Sequence, residues 1–443
     1  MLESVLVANR GEIARRVIRT ARTMSIRAVA VYSDADADLP YVREADEAAY
    51  IGPSQPARSY LDAAALIEAA RKSNAAAVHP GYGFLAENAD FARQVIEAGL
   101  TWVGPGPEAI EQMGDKIRAR NLMEQAGVPV SPGTREPVHR RSRRGHRGRT
   151  DRVSRSMVKA AGGGGGIGMG AAADEAGLLA AFETARSRAE RFFGSPAILL
   201  ERYVERARHV EVQILGLADG RVLALGERDC SVQRRHQKVA EETPSPGVSR
   251  RACASGCSPP RCKAGEAVGY RGRRDRRVPG GRRRGLVRLP RDEHPAPGGA
   301  PRHRTGHRHR PGRAAVPHRR GEPPSFDPVA ISPHGHALEL RIYAEDPVRF
   351  LPGPGTITEW DEPTGDGVRV DAGYQAGNTV TPFYDPLLAK LCVHGADRAQ
   401  ALERRAAGGG RLPHRRARRP TWRSTRTCSP ARSSSAGTTI RPW

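Results

Sequence analysis

The sequence predicts an α/β protein: a doubly wound parallel domain over residues 1–114, then mixed strand and helix to the C-terminus. Three observations carry this. Short apolar runs alternate with amphipathic helical runs from residue 4 onward, the pattern of βαβ units. Glycine-containing turns sit where those strands end. And 443 residues leave room for about three domains at roughly 150 residues each.

Residues 4–8, Ser-Val-Leu-Val-Ala, form the first strand. The turn Asn9-Arg10-Gly11-Glu12 leads into a helix whose inner face is Ile13, Val17 and Ile18, and residues 28–32 are the second strand. A single glycine in that turn is not the G-x-G-x-x-G fingerprint of a dinucleotide site. A second unit runs through a helix around 61–70 and a strand near 76–78 into His79-Pro80-Gly81-Tyr82-Gly83-Phe84. A third ends in Thr101-Trp102-Val103-Gly104, and Met113-Gly114-Asp115-Lys116 then opens a helix reaching Ala126.

Residues 157–161, Met-Val-Lys-Ala-Ala, are a strand with Lys159 near its end. A loop of five glycines follows, Gly162 to Gly166, and then a helix. Glycine backbone can approach phosphate closely, its N–H groups face the oxygens, and lysine supplies a point charge. The lysine precedes the glycines and no Gly-Lys-Ser/Thr follows, so this is not a Walker A loop. Residues 197–204 give a strand and a polar hinge. Residues 209–215 alternate as a half-buried strand, and 222–227 pairs with it across 218–220. The run from Arg228 to Lys238 is dense in donors and reads as either a site or a solvated loop.

The formal charge of +24 invites a nucleic-acid reading, but its distribution argues otherwise. Residues 137–156 carry +7, residues 249–325 carry +16 and residues 406–443 carry +9, nearly all of it arginine. The remainder is mildly acidic at −8. The basic blocks have no apolar periodicity, yet begin and end abruptly against well-patterned sequence. Six cysteines make no disulfide framework, and no apolar run approaches the roughly 20 residues that span a bilayer. The N-terminus lacks the basic start and apolar stretch of a signal peptide. A secreted or membrane-spanning protein is not expected.

Several strings resemble the biotin carboxylase family: VLVANRGEIARRVIRTA, HPGYGFLAENADFA, MGDK, MVKAAGGGGGIGM, ERYVERARHVEVQILG, ERDCSVQRRHQKVAEETPSPG, HALELRIYAEDP and FLPGPGTI. The resemblance implies a doubly wound N-terminal domain over 1–114, a central ATP-grasp domain over 115–325, and an α+β C-terminal domain over 326–443. It implies that ATP phosphorylates bicarbonate and that the CO₂ passes to a ureido nitrogen of biotin. By the same resemblance Lys116 and Lys159 hold nucleotide phosphates, under a loop containing Gly165 and Gly166. Glu201, Tyr203 and Val204 sit at the adenine hinge, and His209, Gln233 and His236 line the nucleotide site. The catalytic candidates are Lys238, on bicarbonate, and Arg341, on the biotin enolate. ATP, Mg²⁺ or Mn²⁺, bicarbonate and carrier-bound biotin are the implied cofactors and substrates. The implied partners are a biotin carboxyl carrier protein and a carboxyltransferase subunit, with a homodimer in the cytoplasm and neither nucleic acid nor membrane.

The family's two metal-binding glutamates are missing. Gly269-Tyr270-Arg271-Gly272 is present, and then arginine-rich sequence begins. Writing the family's Phe-Leu-Glu-Met-Asn-Thr-Arg-Leu-Gln-Val-Glu-His-Pro in G/C-rich codons, and reading from each third base, gives Asp-Glu-His-Pro-Ala-Pro-Gly-Gly-Ala-Pro. That is residues 292–301 as they stand. The basic blocks therefore read as frame-shifted translation. In such segments the spacing of Cys253, Cys257 and Cys262, the cluster His303, His307 and His309, and the dipeptide Glu293-His294 have no assigned role, so no metal ligand is expected. Without the metal glutamates the chain is expected not to carboxylate biotin. Two other functions compete less well. Another ATP-grasp ligase is disfavoured by the RRHQK and ELRIYAEDP strings. An arginine-rich nucleic-acid binder is disfavoured because the charge lies in aperiodic blocks and not on a folded face.

Overall fold

The computed structural model describes residues 2–138, 156–162, 169–204, 207–217, 221–234, 237–246, 264–265, 267–270 and 334–409. Strands β1 (Ser4–Val7), β2 (Arg27–Tyr32), β3 (Glu47–Tyr50), β4 (Ala77–His79) and β5 (Thr101–Trp102) form a parallel sheet in the order β3-β2-β1-β4-β5. Successive residues on these strands face opposite layers. Val5, Val7, Ala28 and Ala30 pack on one side with Ile13, Val17 and Ile18 of α1 (Gly11–Thr23). Leu6, Val29, Val31 and Val78 pack on the other with Leu66 and Ile67 of α3 (Ala63–Lys72) and Phe91 and Val95 of α4 (Ala89–Glu97). Both faces are apolar, as a buried parallel sheet requires. The helices α2 (Pro40–Glu44), α5 (Pro107–Gly114) and α6 (Lys116–Gln125) complete this region.

The strand order reverses at β1, where open α/β sheets leave a crevice at their carboxyl ends. Asn9, just past β1, donates its side-chain amide to the carbonyls of Pro80 and Tyr82 at 2.8 and 2.7 Å. This holds the His-Pro-Gly-Tyr-Gly-Phe loop over the crevice. Gly81 has φ +62°, and a Cβ there would lie 2.7 Å from the Asn9 amide, so only glycine fits.

A three-stranded antiparallel sheet follows, β7-β6-β8, from β6 (Ser156–Ala160), β7 (Met169–Ala172) and β8 (Ile198–Arg202). Helix α7 (Glu175–Phe193) covers it through Phe182, Ala185 and Ala189. The sequence suggests a helix directly after the glycine loop, but β7 intervenes. Its Met-Gly-Ala-Ala has no apolar alternation, and Gly170 lies close under Ala181 of α7, so smallness was selected there and not pattern.

The third sheet has six antiparallel strands in the order β14-β16-β12-β11-β10-β9. They are β9 (Val210–Gly216), β10 (Val222–Arg234), β11 (Gln237–Thr243), β12 (His336–Tyr343), β14 (Val368–Ala372) and β16 (Leu387–Gly395). The pair β13 (Gly355–Thr356) and β15 (Thr379–Val380) lies between them in sequence. The donor-rich run from Arg228 is therefore not a loop: β10 continues to Arg234, which pairs with Gln237 at the start of β11. One face of this sheet carries Leu338, Leu340, Ile342, Leu391 and Val393, closed by Ala401 of α8 (Arg398–Gly409). The opposite face carries charge.

A buried clamp ties the first region to the last. The Arg10 guanidinium pairs with both oxygens of Asp36 at 2.7 and 2.6 Å and donates to the Tyr374 hydroxyl at 2.8 Å. The Tyr384 ring lies 4.3 Å from it. Its neighbours raise the Arg10 pKa further although burial opposes them.

Candidate active site

Two groups of sequence-predicted residues are built on two sheets. On the first, Asp115 caps α6 by accepting from the N–H groups of Ile117 and Arg118 at 2.8 and 3.0 Å. This fixes Lys116, whose N–H donates to Ala161 O at 2.9 Å and whose Nζ donates to Gly162 O at 3.1 Å. Lys159 projects from β6 and pairs with Glu201 on β8. Lys116 thus reaches Gly162, the first of the five glycines, and Lys159 stands three residues before it on β6. Tyr203 and Val204 follow β8, and Val204 is half exposed. Gly165, Gly166 and His236 lie outside the described residues.

On the six-stranded sheet the charged face forms rows across the strands. Glu211 sits opposite Arg228, Glu241 opposite Glu339, and Glu339 opposite Cys392. One step along, Arg341 is opposite Lys390. The period-two alternation of strands puts all these side chains on the side facing the first region. Lys238 contacts Glu211 Oε2 at 2.7 Å, and Arg228 pairs with the other oxygen of the same carboxylate. Arg228 also reaches Glu241 Oε2 at 3.3 Å, and Arg341 reaches Glu241 Oε1 at 2.9 Å. Lys238 and Arg341 are thereby linked through Glu211, Arg228 and Glu241. His209 joins the edge, 3.5 Å from Glu211, with Nδ1 2.7 Å from the Gln233 amide.

The electrostatics follow from this pairing. Burial alone would raise the Glu211 carboxyl, but His209, Arg228 and Lys238 hold it down at about 2. Glu339 is fully buried; that burial, with Glu241 and Glu12 nearby, pushes it up to about 7 against Lys390 and Arg341. Burial and the adjacent Glu241 push the Cys230 thiol up, so it stays protonated.

The sequence reading missed Glu211, Arg228, Glu241, Glu339 and Lys390. One signal could have found them: charged residues at every second position of otherwise apolar strands, as in HALELRIY and LLAKLCVHG. Among the described residues Glu211, Cys230 and Glu241 are the one trio whose ligand atoms lie within 4.8 Å of one another. They do not fit a magnesium ion. Both carboxylates are already engaged by Arg228, Lys238 and Arg341, and a protonated thiol is no ligand for a hard cation.

A parallel α/β region, a lysine-ended strand with a glycine loop, and a sheet with one buried charged face define an ATP-grasp ligase. Family models sharpen this. "Biotin carboxylase, N-terminal domain" matches residues 1–110. "Carbamoyl-phosphate synthase L chain, ATP binding domain" matches 115–273. "Biotin carboxylase C-terminal domain" matches 339–407. The chain is 42% identical over 416 residues to a biotin carboxylase of Halalkalibacterium halodurans, covering 91% of this chain and 89% of that one. It is 42% identical over 415 residues to a biotin carboxylase of Pseudomonas aeruginosa, again covering 91% and 89%. The biotin carboxylase domain of Hydrogenobacter thermophilus 2-oxoglutarate carboxylase superposes with a TM-score of 0.80 at 34% identity, over 93% of this chain and 90% of that one. That structure is a dimer with MgADP, ADP and bicarbonate. The chain belongs to the biotin carboxylase family, a family of ligases. Among the described residues no helix is long and apolar enough to cross a membrane.

Proposed function

We propose that the chain is the biotin carboxylase component of a biotin-dependent acyl-CoA carboxylase, divided as 1–114, 115–325 and 326–443. The single observation that carries this is the linkage of Lys238 to Arg341 across one buried sheet face, through Glu211, Arg228 and Glu241. The substrates are ATP, bicarbonate and biotin on a carrier protein, with a carboxyltransferase subunit as the next partner. The working form is a cytoplasmic homodimer.

Phosphoryl transfer asks for positioning and charge neutralisation. Lys116 and Lys159 supply two fixed positive charges at the glycine loop containing Gly165 and Gly166. Glu201, Tyr203 and Val204 receive the base, with His209, Gln233 and His236 beside it. Lys238 holds bicarbonate. It is kept in place by a carboxylate that stays ionised at neutral pH, so the ammonium is poised and not wandering. Arg341 offers planar donors to the ureido oxygen as negative charge develops there, and an arginine keeps its charge throughout.

A magnesium or manganese ion would supply further neutralisation of the triphosphate. The one trio of candidate ligands among the described residues, Glu211, Cys230 and Glu241, does not fit it, and the sequence from 273 to 325 lacks the family's glutamates. The chain as its sequence reads therefore binds nucleotide and stops short of turnover. The matched ranges support this reading in part: they leave out 274–338 and 408–443, which hold most of the arginine-rich sequence, although 115–273 runs through the block at 137–156. The test is biotin-stimulated ATP hydrolysis, with ADP binding as the parallel measurement. ADP binding without stimulated hydrolysis is the expected result, and hydrolysis returns when the arginine-rich blocks are replaced by in-frame sequence. Hydrolysis by the unaltered chain overturns the inactivity, and loss of ADP binding overturns the nucleotide site. Resequencing the gene should show paired single-base changes near codons 136, 157, 248, 262, 272, 321 and 405.

A further inference from the structure

Lys390 has no part in the reading above, yet it is one of the most buried cations in the molecule, 1% exposed in the middle of the apolar β16. Its Nζ lies 2.6 Å from Glu12 Oε1 at the start of α1 and 3.1 Å from the Tyr82 hydroxyl. It also stands 4.5 Å from the centroid of the Tyr82 ring. The Tyr82 hydroxyl donates to the same Glu12 oxygen. A cation from the last sheet thus grips the acid of α1 and the phenol of the loop over the crevice.

Two observations say that this is more than a strut. First, Lys390 is the register partner of Arg341, and the Tyr82 phenol feels both Arg341 and Glu339. The ring held by Lys390 therefore stands beside the arginine assigned to biotin. Second, Glu12 Oε2, Glu339 Oε1 and Arg341 Nε are buried with no hydrogen-bond partner among the described residues. Three such atoms, one on α1 and two on β12, mark polar capacity kept for something outside the protein. Clamping alone explains little, because the Arg10–Asp36–Tyr374 cluster already joins the same two regions. A buried ion pair is also seldom better for stability than an apolar pair.

We propose that Lys390, with Glu12, is a positioning residue for the biotin side of the site. It fixes the Tyr82 ring as a wall beside Arg341, so that the ureido head enters a preformed pocket. The proposal rests on the reading of Arg341 as the biotin-facing residue. Its test uses the full chain and three measurements: free-biotin affinity, ADP affinity, and deuterium uptake of residues 79–87. Lys390→Met should weaken biotin by about tenfold or more and leave ADP within about twofold, with faster exchange in 79–87. Tyr82→Phe, which removes only the hydroxyl, should give a smaller change of the same kind, and Lys390→Arg should recover part of the loss. Unchanged biotin affinity in Lys390→Met overturns the proposal, and so does equal loss of both ligands, which is general loosening. If Lys390→Met does not fold, unchanged biotin affinity in Tyr82→Phe overturns it. If the unaltered chain binds ADP but not biotin, the reading of Arg341 fails. The exchange measurement then decides the Lys390 grip by itself, and unchanged uptake in 79–87 sinks it.

Discussion

The parallel sheet of the first region and the six-stranded sheet shared by β9–β11 and the C-terminal strands are both buried on two sides, but they bury different chemistry. The first is apolar on both faces, with Leu6, Val7, Val29 and Val31 fully enclosed. The second is apolar toward α8 and ionic toward the first region, with Glu241, Glu339, Lys390 and Arg228 almost equally enclosed. Burying ions costs desolvation that pairing barely offsets. The apolar sheet is a scaffold. The ionic face is the working surface in the function proposed above, and its charges are held dry and fixed.

The sharpest way to break this contrast is Glu241→Ala. It leaves Arg341 without its acid and Arg228 with Glu211 alone, and should cost about 3–5 kcal/mol in urea unfolding. A loss near zero would mean that water reaches that face. Leu6→Ala is the counterpart in the scaffold, where a cavity should cost about 2–5 kcal/mol by the same measurement. The two sheets should also differ in pH response. Glu339 has its folded pKa raised from 4.5 to about 7, so folding takes up a proton between those values. Its contribution therefore falls as pH rises through that window, by at most about 1.4 kcal/mol per pH unit. Glu339→Gln should flatten the slope. Glu211, held at about 2, acts in the opposite sense: its contribution is present above 4.5 and is lost as pH falls toward 2. The smallest effect expected is that of Asp115→Ala. Losing this helix cap should cost about 1 kcal/mol and weaken ADP binding through Lys116.

The same contrast explains what was legible in the sequence. The parallel sheet was legible because burial of Val5, Leu6 and Val29 writes itself as apolar runs. The strand boundaries fall within a residue or two, as with 76–78 against Ala77–His79. β7 was invisible, since its small residues answer to the close approach of α7. The ionic face was half legible. The sequence singled out Lys238 and Arg341, but its counter-ions are scattered over five strands that only the sheet brings together. Glu12 and Lys390 could not be paired from sequence, because nothing local connects the first helix to a strand so far downstream.

That distance has a consequence for biosynthesis. Arg10 and Asp36 can meet early, but the Tyr374 hydroxyl that completes the clamp is 364 positions further along. At roughly 5–20 residues per second, a ribosome needs on the order of 20–70 s to deliver it. For that interval the nascent first region must keep Glu12 and Tyr82 wet, waiting for a lysine that has not yet been made. Anything that ends translation early, or changes reading frame without restoring it before residue 390, leaves a newborn chain with its opening domain formed and its seam unclosed.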